Sequence, residues 1–515
     1  MNLSKRSSPN QPQWQKHITI DLLVPLTLIL ISRWIMPAEG IFQISTDESY
    51  QLAKVSLLKE GFQLYTDIWN DQPPLHTFLL FHWLKLFGET ILAARTMTLV
   101  FATIFVWSFA RILQQTVTPL VSFLTITLLI TSSEFLELSQ AIKVGLPSLS
   151  LGVLSIYLVT IYHQKKNTLW LISSGLIFAC ALQTKLITAI YIPAILLFLL
   201  LKSRNTIQDK TKDKTSKTKH IQNLKYPLFW TGCMLIGFIL IGVLSDSLNL
   251  SQLLEPHLQA QVNADDGWSY NRSILVFLSF IFQDYEYVPL VLIGIFSTIY
   301  RNEKTILPIT ILGTVLLVFM TYRPLWTHYL PLLSFPALWL TGIGLQKCFD
   351  IFTKLWKSLS DTHQSKKQKL FKHCIFALLI IALLAPTLSV PYSLYTRHQR
   401  YEQLVERTAK LTKINQLIED NYQPQSKWLF VDNPIYSFTS PLTVPPIMAV
   451  LSQKRFNTGN FNQQDVDYIF QEYKPAQVLF TGRQNILRKM ASNYLKDDYE
   501  LIPNDLNVRH YRRKA

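Results

Sequence analysis

Apolar runs that approach or exceed the length needed to cross a hydrocarbon core recur along this chain, and they remove most folds from consideration. In lipid, every backbone N–H and C=O must find its partner within the chain, so runs of this length read as helices. They fall at about residues 18–36, 91–113, 120–132, 144–162, 226–244, 288–300, 306–320, 329–345 and 374–390. The apolar region 168–201 is interrupted by Gln183-Thr184-Lys185 and reads as two short spans with Lys185 at the turn. That makes eleven spans. The expected fold class is mainly α: a polytopic helical membrane protein with a small soluble α/β domain after it.

Charge between the runs sets the orientation. Lys5, Arg6 and Lys16 precede the first run. Loop 202–225 holds eight Lys/Arg against two acids, and loop 346–372 seven Lys against two Asp. By the positive-inside rule these segments and the N-terminus are cytoplasmic, and the region after 390 lies outside. The protein is expected in the plasma (inner) membrane, with its C-terminal domain extracytoplasmic. The leader, residues 1–17, is not read as a cleaved signal, because the first run ends at Pro37-Ala38-Glu39 without a small-x-small site. The net charge of +16 belongs to the inside loops, so it argues for no nucleic-acid partner. The four cysteines, Cys180, Cys233, Cys348 and Cys374, sit in or beside spans and suggest neither a disulfide framework nor a zinc site.

Segment 45–76 is the acidic part of the N-terminal half. It carries Asp47-Glu48, Asp67, Asp71 and a Pro73-Pro74 turn. Residues 75–87 are apolar but span only about 20 Å as a helix, too short to cross, and read as an interface helix. Adjacent helical residues point about 100° apart, so Asp47 and Glu48 cannot act as a facing dyad. A carboxylate here can serve as a general base for a hydroxyl or position a cation. The same pattern also fits a helix start, with Thr46 or Asp47 as N-cap. On the same side lie Lys143, Lys185, Arg272, Arg323, His328 and Tyr329. Singly, each fits interfacial snorkelling. Together they suggest a phosphate-bearing lipid beside a hydroxyl acceptor. The sequence names no cofactor, and its residue spacing gives a divalent metal no support.

From about 391 the composition turns soluble, dividing the chain into 1–390 and 391–515. Helical patterns at 402–420 and 464–473 alternate with strand-like runs at 427–431 and 476–480. Asp432-Asn433 reads as a polar turn after a strand.

The ordered motifs resemble the glycosyltransferase family 39 type of the GT-C superfamily, which includes protein mannosyltransferases and the lipid A aminoarabinose transferase. The resemblance covers about residues 18–390. It rests on Asp47-Glu48-Ser49-Tyr50, Gly61 through Tyr65, Gln72-Pro73-Pro74-Leu75, Phe87-Gly88, Arg95, Thr184-Lys185 and Thr327-His328-Tyr329-Leu330-Pro331. It implies a large first outer loop with interface helices and catalysis by Asp47 with Glu48. It implies that Lys185, Arg323, His328 and Tyr329 lie near the lipid phosphate, and Tyr50, Gln72, Lys143 and Arg272 complete the expected substrate contacts. The implied partners are a polyprenyl-phosphate-linked sugar donor, a lipid, glycan or protein acceptor, and membrane lipids. Two positions depart from the family. Gln72 stands where aminoarabinose-type members have Lys, and Lys143-Val144-Gly145 stands where many members carry a second acid. The competing readings are a transporter or flippase of lipid-linked saccharides, and a membrane scaffold presenting the tail domain.

Overall fold

The computed structural model describes residues 13–132, 134–208, 216–247, 271, 273–279, 287–299, 306–322, 325–359, 366–424, 426–482 and 485–514. Helices occupy the apolar runs: α1 (Gln13–Ile35), α4 (Ile91–Leu113), α5 (Pro119–Ile130), α7 (Gly145–Lys165), α8 (Thr168–Thr184), α9 (Ile192–Gln208) and α10 (Ser216–Leu244). They continue with α11 (Val288–Ile299), α12 (Ile306–Thr321), α13 (Leu330–Leu359) and α14 (Lys366–Asp420). Among the described residues, Asp21–Gly40, Ile91–Leu113, Gly145–Lys165 and Leu224–Leu244 are each long and apolar enough to cross a membrane by themselves. The interruption at 183–185 is a real break: α8 stops at Thr184, Lys185 is extended, and a 3-10 turn, Leu186–Tyr191, leads into α9.

Between α1 and α4 the chain builds α2 (Thr46–Lys59) and the short apolar α3 (Leu75–Phe87). Gly61 and Gly88 follow these helices at φ 93° and 99°, backbone that a side chain would strain. The Thr90 hydroxyl then accepts from Ala93 N at 3.0 Å and starts α4 directly. A single turn, α6 (Phe135–Leu138), buries Phe135, Leu136 and Leu138. The loop at 134–143 is thus folded inward, and it delivers Lys143 to α7.

Three boundaries differ from the sequence reading. The change of composition at 391 falls inside α14, which runs unbroken through Pro386 and Pro391 towards the C-terminal sheet. A proline removes one N–H, a loss that a long helix with intact flanking turns tolerates. The span expected at 329–345 extends as α13 to Leu359. The basic loop 202–225 is helical at both ends, as α9 and α10.

The C-terminal domain has a four-stranded sheet, order β1-β2-β4-β3. β1 (Leu429–Val431) pairs parallel with β2 (Gln477–Phe480), and β4 (Arg509–Arg513) pairs antiparallel with both β2 and β3 (Tyr499–Ile502). The first two strands match the apolar runs. β4 is polar, and β3 is only four residues long with Glu500 and Leu501 exposed, so neither made a clear apolar run.

The core of this domain is continuous with the first loop. Phe430, Val431, Tyr436, Leu451 and Phe461 pack in one buried cluster with Leu52, Leu57, Ile68, Leu80 and Met97 of the first loop and α4. Lys427 pairs with Glu60 at 2.5 Å, and Phe42 N donates to Thr408 Oγ1 at 2.9 Å. Gln43 and Asn433 exchange two side-chain bonds, at 2.9 and 3.4 Å.

In the bundle, α11 and α13 touch backbone to backbone. A Cβ built on Gly344 would fall on the carbonyl oxygen of Leu290, and one on Gly294 on that of Leu340. Small residues give membrane helices this close approach. Gly344→Val is therefore expected to cost about 1–3 kcal/mol through overpacking, seen as a lower thermal unfolding midpoint in detergent.

Candidate functional site

The site is assembled around a carboxylate that does not face it. Glu48, at the third position of α2, is fully buried. Arg95 of α4, also buried, donates Nε to its Oε1 and Nη2 to its Oε2, each at 3.0 Å. The Ile44 N–H reaches Oε2 at 2.7 Å, Ser45 N–H the same oxygen at 3.4 Å, and Ile142 N–H Oε1 at 3.1 Å. Arg95 spends its remaining donors on the carbonyls of Ala38 at 3.0 Å, Ile41 at 2.6 Å and Phe42 at 3.5 Å. One ion pair thus fixes the loop before α2, the start of α4 and the segment before α7. Asp47 and Lys143 are the chain neighbours of residues held this way.

Asp47 comes out on the accessible side. The N-cap of α2 is Ser45, so neither Thr46 nor Asp47 fills that place; Asp47 is the second helical residue. Its side chain is 43% exposed, and its Oδ2 lies 3.5 Å from Lys143 Nζ. Lys185, at the break between α8 and the 3-10 turn, holds its ammonium 4.6 Å over the Tyr329 ring. Burial pushes the Lys185 pKa down to about 8. Asp47 opposes that shift, Lys143 adds to it, and Asp71 and Lys454 act in the same two senses more weakly. Tyr329 is raised well above the ordinary tyrosine value by burial, and also by Tyr322, Asp47 and Asp71.

Asp71 is the second carboxylate. It forms an ion pair with Lys454 of the C-terminal domain. Its turn is held from below: buried Lys54 donates to Asn70 Oδ1 at 3.0 Å, and Asn70 Nδ2 and Tyr65 OH both donate to the Gln72 carbonyl at 2.7 Å. Burial lowers Lys54 to about pKa 8, with Asp71 and Asp47 resisting. Two carboxylates, Asp47 and Asp71, therefore stand among four lysines, Lys54, Lys143, Lys185 and Lys454. That excess of positive charge suits an anionic ligand, with a half-exposed carboxylate beside it.

Of the sequence candidates, Asp47, Lys143, Lys185 and Tyr329 come together. His328 packs edge-on against Tyr329, with ring centroids 4.6 Å apart. Tyr50 donates its hydroxyl to the Leu451 carbonyl at 2.7 Å and so belongs to the seam with the C-terminal domain. Gln72 enters through its backbone carbonyl. Arg272 and Arg323 lie outside the described residues. Sequence reasoning missed Lys454, and it gave Lys54 and Asn70 no role and Asp71 no place among the site residues. Asp71 could have been suspected from its position before Gln72-Pro73-Pro74. Nothing in the pattern marks Lys454, which arrives through tertiary docking.

Residues 71–214 match the family model described as dolichyl-phosphate-mannose-protein mannosyltransferase. Among curated proteins, none matches the chain. The crystal structure of ArnT from Cupriavidus metallidurans bound to undecaprenyl phosphate is similar at TM-score 0.61 and 10% identity, over 97% of this chain and 98% of that one. The archaeal oligosaccharyltransferase AglB from Archaeoglobus fulgidus, in complex with an inhibitory peptide and a dolichol-phosphate, aligns at TM-score 0.54 and 10% identity, over 96% of this chain and 74% of that one. The GT-C resemblance read from the motifs is borne out: the chain is a helical membrane protein with the GT-C fold.

Two outcomes follow from this geometry. Glu48→Gln leaves the Arg95 guanidinium buried without its counter-charge, which is expected to cost about 3–5 kcal/mol of stability, measured by unfolding in detergent. An anion held by Lys185 needs the protonated amine, so its affinity is expected to be constant below about pH 8 and to fall about tenfold per pH unit above it. Binding titrations between pH 6.5 and 9.5 measure this, and Lys185→Arg, which stays charged, should move the falling limb out of the range.

Proposed function

We propose that the protein is an inverting glycosyltransferase that moves a sugar from a polyprenyl-phosphate donor to a hydroxyl acceptor at the extracytoplasmic face. The observation that carries this reading is the half-exposed Asp47 carboxylate standing beside the lysine cluster. The undecaprenyl phosphate bound by ArnT and the dolichol-phosphate bound by AglB, on the same fold, support a lipid phosphate as the anion.

The chemistry is one in-line displacement. Asp47 takes the proton from the acceptor hydroxyl as its oxygen attacks the anomeric carbon. The bond from that carbon to the phosphate oxygen breaks on the opposite side, which inverts the configuration. The electron pair leaves on the polyprenyl phosphate, where Lys143 and Lys185 stabilise the growing charge, with Arg323 and Arg272 further candidates. Tyr329, kept protonated, carries Lys185 on its ring and offers the phosphate a hydroxyl donor. His328 lines the same wall. Glu48 touches no substrate in this scheme and acts by positioning Asp47 and Lys143. Tyr50 and Gln72 hold the loop in shape.

Asp47→Asn keeps the size of the side chain and removes the base. Transfer from a polyprenyl-phosphate sugar in detergent is expected to drop about a hundredfold to ten-thousandfold, with lipid-phosphate affinity changed by only a few-fold. A folded Asp47→Asn protein with full transfer rejects the reading. Lipid moved between leaflets without transfer would favour the flippase instead.

A further inference from the structure

The ion pair at the rim of the site crosses between two parts of the chain. Asp71 sits on the first loop, and Lys454 on the short helix Gln453–Asn457 of the C-terminal domain. The Lys454 side chain is 22% exposed and the Asp71 side chain 10%. The next residue, Arg455, is locked in place. Its guanidinium lies 4.7 Å over the Trp69 ring of the first loop and donates to the carbonyls of Asn460 at 3.0 Å, Ile447 at 2.5 Å and Val450 at 3.1 Å. Tyr50 OH on the Leu451 carbonyl, at 2.7 Å, closes the same seam from the α2 side. The backbone that carries Lys454 is therefore fixed by its neighbours, independently of Asp71.

The arrangement repeats that of the first pair. Asp47 faces Lys143, Asp71 faces Lys454, and Lys185 feels all four groups. If Lys454 served only to dock the domain, a position at the seam's dry centre would serve better. The shared core and Arg455 already provide that docking.

We propose that Lys454 is a ligand of the donor's phosphate, so that the C-terminal domain supplies one of the cations of the transfer site. The inference rests on the lipid-phosphate reading above and adds a residue to it. With the phosphate in place, Lys454 shares its protons between Asp71 and a phosphate oxygen, while Asp71 keeps the ammonium charged and aimed. A donor then finds its full set of cations only when the domain is seated on the first loop.

The probe is a polyprenyl monophosphate titrated into the full-length protein in detergent. Lys454→Gln is expected to weaken binding about tenfold, and Lys454→Arg to restore it to within a few-fold. In transfer assays the donor KM should rise more than kcat falls, a split that loosened docking alone does not produce. Asp71→Asn combined with Lys454→Gln separates direct contact from masking. Binding that stays weak in the double variant supports contact, and recovery of wild-type affinity overturns it, since Lys454 would then act only by neutralising Asp71. Should Lys454→Gln unfold early, Lys454→Met keeps the apolar stem and the same comparison applies. Wild-type affinity in Lys454→Gln alongside weak binding in Lys185→Gln refutes this inference and leaves the proposed function standing. A wild-type protein that binds no polyprenyl phosphate at all removes both.

Discussion

The buried pair of Glu48 and Arg95 is the constraint on which the rest depends. Taking both charges out of water costs several kcal/mol each unless every donor and lone pair is met. Here they are met: two parallel bonds join the pair, three backbone N–H groups reach the carboxylate, and three carbonyls meet the guanidinium. Those backbone groups belong to the loop before α2 and to the segment before α7. Geometry that satisfies the pair therefore also sets where Asp47 and Lys143 can be. A buried salt bridge is weak evidence for stability in itself, but it is a strict device for register, and register is what a site drawn from distant segments requires.

The second organising contact is the shared core of the first loop and the C-terminal domain. The domain's apolar interior does not close on itself but runs on into the first loop. It completes itself on α2, α3 and the start of α4, with the long helix α14 carrying the chain there from the bundle. Loop and domain therefore act as one body over the site. This explains why chemistry-bearing residues appear at the seam, and why Trp69 and Arg455, far apart in sequence, share one stack.

Much of this was legible in the sequence, for identifiable reasons. The helices follow the apolar runs because lipid leaves the backbone no other choice, and the break at Lys185 was visible because a charge cannot sit unexplained inside such a run. Asp47, Lys143, Lys185 and Tyr329 were visible because polar groups in the segments between apolar runs stood out against their surroundings. What stayed hidden was tertiary. Glu48 looks like Asp47 in the sequence, and only burial separates them. Lys454 looks like any surface lysine until the domain docks. β4 is polar throughout and β3 is a four-residue strand interrupted by Glu500, so neither gave a clear hydrophobic signal. The division at 391 was drawn from composition, which cannot see that one helix, α14, continues across it.

The central claim is that the phosphate of a lipid carrier binds among these lysines, within reach of Asp47. Density for a polyprenyl phosphate bound to the full-length protein in a lipid nanodisc tests it most directly. The account predicts a phosphate within hydrogen-bond distance of Lys185 and Lys143, with its free oxygen turned toward Asp47 and its tail leaving sideways into the bilayer. A phosphate bound at the other end of the bundle, or one separated from Asp47 by the width of a helix, would contradict it.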